Sequence, residues 1–219
     1  MSASGHPTPS PPALPTRQRL AVQEAERARI ARDLHDELGQ LLTALRLSAS
    51  ALAQTLQDPA QQDLACDVLA LAQDALERIR RLARGLHPPQ LDSFGLVAAL
   101  QALCEDLSRR GPARLQLTLA TPVPRAAAEV ELAAYRIAQE AISNALRHGQ
   151  ATHVRLHLSV EASLLQLQID DDGRGHDIDA APGFGRLAMR ERATALGGTL
   201  QETAAATGTC LIARLPLHA

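Results

Sequence analysis

The run Glu26-Arg27-Ala28-Arg29-Ile30-Ala31-Arg32-Asp33-Leu34-His35-Asp36-Glu37-Leu38-Gly39-Gln40 places a histidine where it can do chemistry. His35 follows Leu34 at the flank of an apolar stripe, so its imidazole reaches solvent from a fixed helical backbone. Asp36 can favour the imidazolium, or take a ring proton so that the other nitrogen attacks phosphorus. Gln40, four residues after Asp36, can orient a water. Gly39 costs a helix roughly 1 kcal/mol relative to alanine, and its missing side chain leaves room beside His35 for an approaching phosphate or partner. Taken alone, these residues also suit a solvated, charged helix face.

A second set lies downstream. Glu140, Asn144 and His148 recur at four-residue steps on one helix face, and a carboxylate, an amide oxygen and an imidazole in line suit a hydrated magnesium ion and phosphate oxygens. Asp171-Asp172-Gly173-Arg174-Gly175 is a DxGxG element in which glycines let the backbone approach a ligand while Asp171 can accept from an exocyclic amine. A plain hairpin competes with this reading, whereas an EF-hand loop fails because the required Glu is missing from its offset. Gly183-Phe184-Gly185 precedes a short helical pattern, and glycines before a helix N-terminus can cradle a phosphate or simply form a flexible loop.

The elements that must position these groups follow from periodicity. From residue 16 to about 56 there is no proline, and Ile30, Leu34, Leu38, Leu41, Leu45, Leu52 and Leu56 recur at helical steps. Asp58-Pro59 breaks that helix, and Leu64, Val68, Leu71, Ala75, Ile79, Leu82 and Leu86 mark a second, ending near Gly85 and Pro88-Pro89. Such a hairpin cannot cover both stripes by itself, so a homodimeric four-helix bundle is expected. After a connector at 91–95, the sequence predicts a helix over 96–109 and a strand over 114–119. A helix opening at Pro124 and running to about His148 follows, then strands over 153–160 and 164–169 and a helix over 187–196. Strands near Leu200 and at 210–215 close an α+β layer with a mostly antiparallel sheet. Residues 1–16 hold five prolines among small polar residues and read as a disordered tail.

Composition narrows the function classes. With 22 basic and 24 acidic side chains the net charge is -2, so direct nucleic-acid binding is not expected. No apolar run approaches the roughly 20 residues of a membrane span, and no secretory signal opens the chain, which predicts a soluble, cytoplasmic protein. Cys66, Cys104 and Cys210 are odd in number and lack CxxC spacing, so buried free thiols are expected rather than a disulfide framework or zinc site.

In this order on one chain, the motifs resemble the histidine kinase subfamily of nitrate and sugar-phosphate sensors, over about 25–217. The resemblance implies a dimerisation and phosphotransfer hairpin at 17–90 and a GHKL (Bergerat-type) α/β sandwich ATP-binding domain at 91–219. His35-Asp36-x-x-x-Gln40 matches the HDxxxQ motif, which makes His35 the phosphoacceptor, Asp36 its assistant and Gln40 an assistant in dephosphorylating the regulator. Glu140, Asn144, Arg147 and His148 fall on the N box, with Asn144 and Glu140 at the metal; Asp171, Gly173 and Gly175 fall on the first glycine box, where the acid reads adenine. Gly183 and Gly185 match the ATP lid, and Thr207-Gly208-Thr209 matches the segment that closes the pocket. The 84–91 stretch looks like the link between the two domains. ATP and Mg2+ are the implied cofactors, and a response regulator receiver domain is the implied partner. Input would come from chain outside this segment or from a separate sensor or membrane partner.

The lid departs from the family pattern, with Arg186 where Leu is usual and Ala188 where a glycine precedes Met189. Two other classes remain open at this point: a GHKL serine kinase of the anti-sigma type whose hairpin only dimerises, and a scaffold with a decayed ATP site.

Overall fold

The computed structural model describes residues 15–120, 122–175, 183–204 and 207–218. Most of the expected tail, residues 1–14, lies outside the described residues.

The first helical stretch is α1 (Thr16–Asp33), one π-helical turn (Leu34–Leu38) and α2 (Gly39–Ala53). The π turn is not visible in the periodicity, because an inserted residue that widens one turn leaves the apolar spacing on either side intact. His35 stands on it. The hairpin turns where Asp58 Oδ1 accepts the Ala60 amide at 3.0 Å, capping α3 (Pro59–Leu86), and Pro59 sits at the first position, where its missing N–H costs nothing. Small side chains such as Ala31, Ala65, Ala72 and Ala83 are buried where the helices meet. On the outer side Leu41 and Leu71 are 67% and 70% exposed, so the stripe expected from the sequence is not filled within one chain.

Helix α4 (Pro89–Arg110) is broken at Gly95, whose φ of +82° is a left-handed conformation that glycine adopts freely. The break marks the end of the expected connector, but the connector itself is helical. Strand β1 (Arg114–Leu119) follows, then α5 (Ala128–Arg147), β2 (His153–Glu161), β3 (Leu164–Asp171), α6 (Phe184–Ala195), β4 (Thr199–Ala204) and β5 (Thr209–Pro216). Helix α5 opens four residues after Pro124. Glu131 Oε1 accepts from the Ala126 amide at 3.1 Å and from Arg125 Nε at 2.9 Å, and the Ala127 amide donates to Leu217 O at 2.9 Å, which together hold the preceding residues extended.

The sheet order is β1-β2-β3-β5-β4. Strands β1 and β2 are parallel, joined through α5, and the other neighbours are antiparallel. Alternation on β2 turns Val154, Leu156 and Leu158 into the core with Leu165, Leu167, Ala213 and Leu215, and α4, α5 and α6 pack over that face. The opposite face is polar, with Arg214 Nε donating to Gln166 at 2.8 Å. This two-layer α/β sandwich beside a helical hairpin is the architecture that the sequence predicts.

Candidate functional site

Helix α5 runs behind the sheet, and its Ala141, Asn144 and Ala145 face a cavity whose other walls are Gly149, Ile169, Asp171, Gly175, Met189, Glu202, Thr209 and Leu211. Of the sequence-predicted residues, Asn144, Asp171, Gly175 and Thr209 therefore meet in one cavity. Strand β3 delivers Asp171 at its last residue. The chain then turns because the Gly173 amide donates to Asp171 Oδ1 at 2.8 Å, an Asx-type turn that leaves the carboxylate further acceptor capacity. Gly208 lies against this turn with φ of +81°, and a Cβ there would stand 1.8 Å from Asp171 O. Gly173 is equally confined, since its Cβ would approach Gly149 O to 2.7 Å.

Asp172 points elsewhere. Its carboxylate accepts from the amides of Thr152 and His153 at 2.7 and 2.8 Å, from the Thr152 hydroxyl at 2.7 Å and, at 2.8 Å, pairs with His153 Nδ1. The His153 amide, then the Thr152 hydroxyl and the His153 ring, hold its carboxyl well below the usual carboxylate range. Asp172 thus ties the start of β2 to the glycine loop.

At the lid, Glu140 Oε1 lies 2.0 Å from where a Cβ on Gly185 would stand, so the glycine admits this carboxylate beside the N-terminus of α6. Arg186 Nε donates to Glu202 Oε2 at 2.7 Å, and both side chains are largely buried. Gly183 is the residue before α6 and is open on its Cβ side. Arg147 and His148 do not line this cavity; Arg147 lines a groove between α3, α4 and α5 instead.

On the stalk, His35, Asp36 and Gln40 are exposed. His35 and Asp36 line a cavity of about 580 Å³ with Arg32, Arg80, Arg84 and His87, and a second one with Gly39, Gln40 and Arg80. A Cβ on Gly39 would meet nothing within 4 Å. His87 Nε2 lies 2.9 Å from Asp92 Oδ2 at the link between α3 and α4.

The thiols correct one expectation, since Cys66 is exposed and only Cys104 is buried. Burial pushes the Cys104 and Cys210 thiols up to about 11, with Glu105 and Asp170 adding to the effect. Sequence reading missed Glu202 and the alanines of the cavity wall, which carry no motif, and met Met189 only as part of the lid pattern. It also missed Glu24, Arg136 and Arg192, whose pairing across elements has no local signature.

A two-layer sandwich with an Asp- and Asn-lined cavity closed by glycine loops defines an ATPase domain of the GHKL class, joined here to a helical hairpin bearing an exposed histidine. Residues 26–91 match the family model described as histidine kinase, and residues 129–219 match that described as histidine kinase-, DNA gyrase B-, and HSP90-like ATPase. The chain belongs to the histidine kinases. It is 34% identical over 212 residues to the sensor histidine kinase MctS of Rhizobium johnstonii, covering 93% of this chain and 46% of that protein. Against the sensor protein VraS of Staphylococcus aureus it is 32% identical over 201 residues, covering 90% and 57%. The chain thus spans about half the length of these relatives. The histidine kinase domain of the Erythrobacter litoralis EL346 blue-light activated histidine kinase shares the fold, at a TM-score of 0.51 and 21% identity, over 81% of this chain and 94% of that one.

Proposed function

We propose that this chain is the kinase core of a two-component sensor: it binds ATP in the α5–β3–α6 cavity, phosphorylates His35 and passes the phosphoryl group to the receiver domain of a response regulator. The observation that carries the reading is an exposed His35-Asp36 pair on a stalk, in the same chain as a cavity holding Asp171, Asn144 and Thr209. Asp171 would accept from the adenine amine, and Asp36 would manage the proton of the attacking imidazole. The donor set at α5, an Asn144 amide oxygen with the Glu140 carboxylate near the lid, fits a hydrated magnesium ion. Such an ion would neutralise phosphate charge; the chain's own part is to hold and orient. Gln40, exposed one turn past Asp36, would orient a water for dephosphorylation of the regulator.

The working division is a stalk at 17–90 and an ATP-binding domain at 91–219. The exposed leucines of α2 and α3 support a homodimer built on a four-helix bundle. No helix among the described residues is long and apolar enough to cross a membrane. We place the working site of this core in the cytoplasm, where ATP and receiver domains are found.

The test is incubation with γ-labelled ATP. Wild type should gain an acid-labile phosphate and His35→Ala should gain none. Label surviving that substitution would end the proposal.

A further inference from the structure

Glu24, on α1, is 7% exposed although no motif accounts for it. Its Oε2 accepts from Arg136 Nε and Nη2 at 3.0 and 2.8 Å, and its Oε1 accepts from Arg192 Nη1 at 2.8 Å and Arg27 Nη1 at 3.2 Å. Burial would raise its carboxyl, but the guanidinium of Arg136 above all, with Arg192 and Arg27, holds it below its ordinary value. Arg136, 4% exposed, also donates to Gly85 O at 3.1 Å and to Leu86 O. One guanidinium on the N-box helix therefore grips α1 and the C-terminal carbonyls of α3 together, while Arg192 ties α1 to the helix that follows the lid.

The docking has a register. Arg17 pairs with Glu129, and Glu24 pairs with Arg136; both pairs are separated by 112 residues. A seven-residue step on α1 is thus matched by a seven-residue step on α5, so the two helices run parallel over this stretch. Arg19 and Glu191, at 3.7 Å, add a second contact from α1 to α6 beside that of Glu24 with Arg192. In this docked arrangement the nucleotide cavity and the two cavities at His35 have no lining residue in common.

Resting on the kinase reading above, we infer that Glu24, Arg136 and Arg192 form a polar clasp. It parks the ATP-binding domain on α1, and it must open for bound nucleotide to reach His35. Charge chemistry suits a contact that opens. A buried ion cluster is near break-even because its members are rehydrated on separation, whereas an apolar interface of the same area would resist opening. The single carboxylate faces three guanidinium groups, so neutralising it leaves like charges opposed. Movement of α1 is thereby transmitted to α5 and α6 by direct contact, in addition to the hold of Arg136 on Gly85 and Leu86 of the link.

The test is Glu24→Gln in the full chain, with Glu26→Gln as control, because among the described residues Glu26 pairs with Arg29 on its own helix and with no other element. Opening the clasp should raise the autophosphorylation rate at saturating ATP by about fivefold or more, with the KM for ATP held within about twofold. Amide exchange across α1 and α6 should rise in Glu24→Gln, and in Arg192→Gln as a second variant, without nucleotide. The control should match wild type in both readouts. Unchanged exchange in both clasp variants would overturn the clasp, and so would a fall in rate, which would make the docked arrangement the productive one. Wild type that never labels His35 would sink the kinase reading alone, since exchange still decides the clasp.

Discussion

Arg186 Nε on α6 lies 2.7 Å from Glu202 Oε2 on β4, joining the first turn of the lid helix to a residue of the nucleotide cavity wall. The position where the family usually carries Leu is thus filled by a charged tie rather than left loose. With side chains 16% and 8% exposed, the pair is shielded from solvent, and truncating Arg186 removes a charge-assisted hydrogen bond from a largely buried carboxylate. Arg186→Ala should destabilise the ATP-binding domain by roughly 2 kcal/mol, below the 3–5 of a fully buried pair. Urea unfolding followed with ATP titration checks it, and nucleotide affinity should fall along with stability. Equal stability and affinity in the variant would make the tie incidental.

Asp172 gives a pH signature. Its folded pKa is depressed, so its stabilisation is present above the ordinary carboxylate value of 3.8 and is lost as pH falls toward the depressed one. Asp172→Asn should lower the melting temperature at pH 7. The gap to wild type should persist to about pH 4 and close only in stronger acid. Melts over a pH series check this, and a gap that closes near neutrality would overturn it.

How much of this was legible in sequence depends on the range of the interaction. Asp58-Pro59 marked the start of α3 because a cap and a proline act within one turn. The β2 and β3 boundaries fell within two residues of the expected ones because alternation on a half-buried sheet is local too. The start of α5 was misplaced because Glu131, from inside the helix, and Leu217, from just beyond β5, hold the preceding residues extended. Within the cavity, Asp171 and Asn144 carry motifs, while Glu202 arrives by folding. Glu24 and Arg136 look like ordinary helix-surface charges until α1 and α5 lie side by side.

Two glycines separate confinement from clearance. Gly208→Ala puts a Cβ 1.8 Å from Asp171 O at a φ of +81°, so nucleotide binding should be lost while the stalk stays helical. Gly39→Ala adds a methyl group that meets nothing within 4 Å, so the stalk should gain about 1 kcal/mol of stability. If the space beside His35 serves the incoming receiver domain, transfer to the regulator should slow in Gly39→Ala with autophosphorylation intact. Thermal melts and a single-turnover transfer assay read both effects, and a destabilised Gly39→Ala stalk would mean the partner protomer fills that space.

The thiols predict an order of reactivity. Cys66 is exposed on α3, whereas burial holds Cys104 and Cys210 near 11, almost wholly as thiols at neutral pH. Iodoacetamide should therefore label Cys66 first, and mass spectrometry of the peptides should find the other two slower by at least about tenfold. Cys210 labelling as fast as Cys66 would place a reactive thiol beside Thr209, and so make the nucleotide site redox-sensitive.

Asn144 and Gln40 should fail in different assays. Asn144 lines the cavity from α5, so Asn144→Ala should abolish labelling of His35 by weakening the hold on the metal and phosphates, while phosphoryl transfer from an already phosphorylated partner protomer stays intact. Gln40 is exposed on the stalk beside His35 and outside the nucleotide cavity, so Gln40→Ala should leave autophosphorylation within about twofold of wild type and slow regulator dephosphorylation by about tenfold or more. The two rates are measured with labelled ATP and with purified phosphorylated regulator. Parallel losses in both assays for Gln40→Ala would mean that the amide supports the geometry of His35 itself, since a water-orienting group acts only when water is the nucleophile.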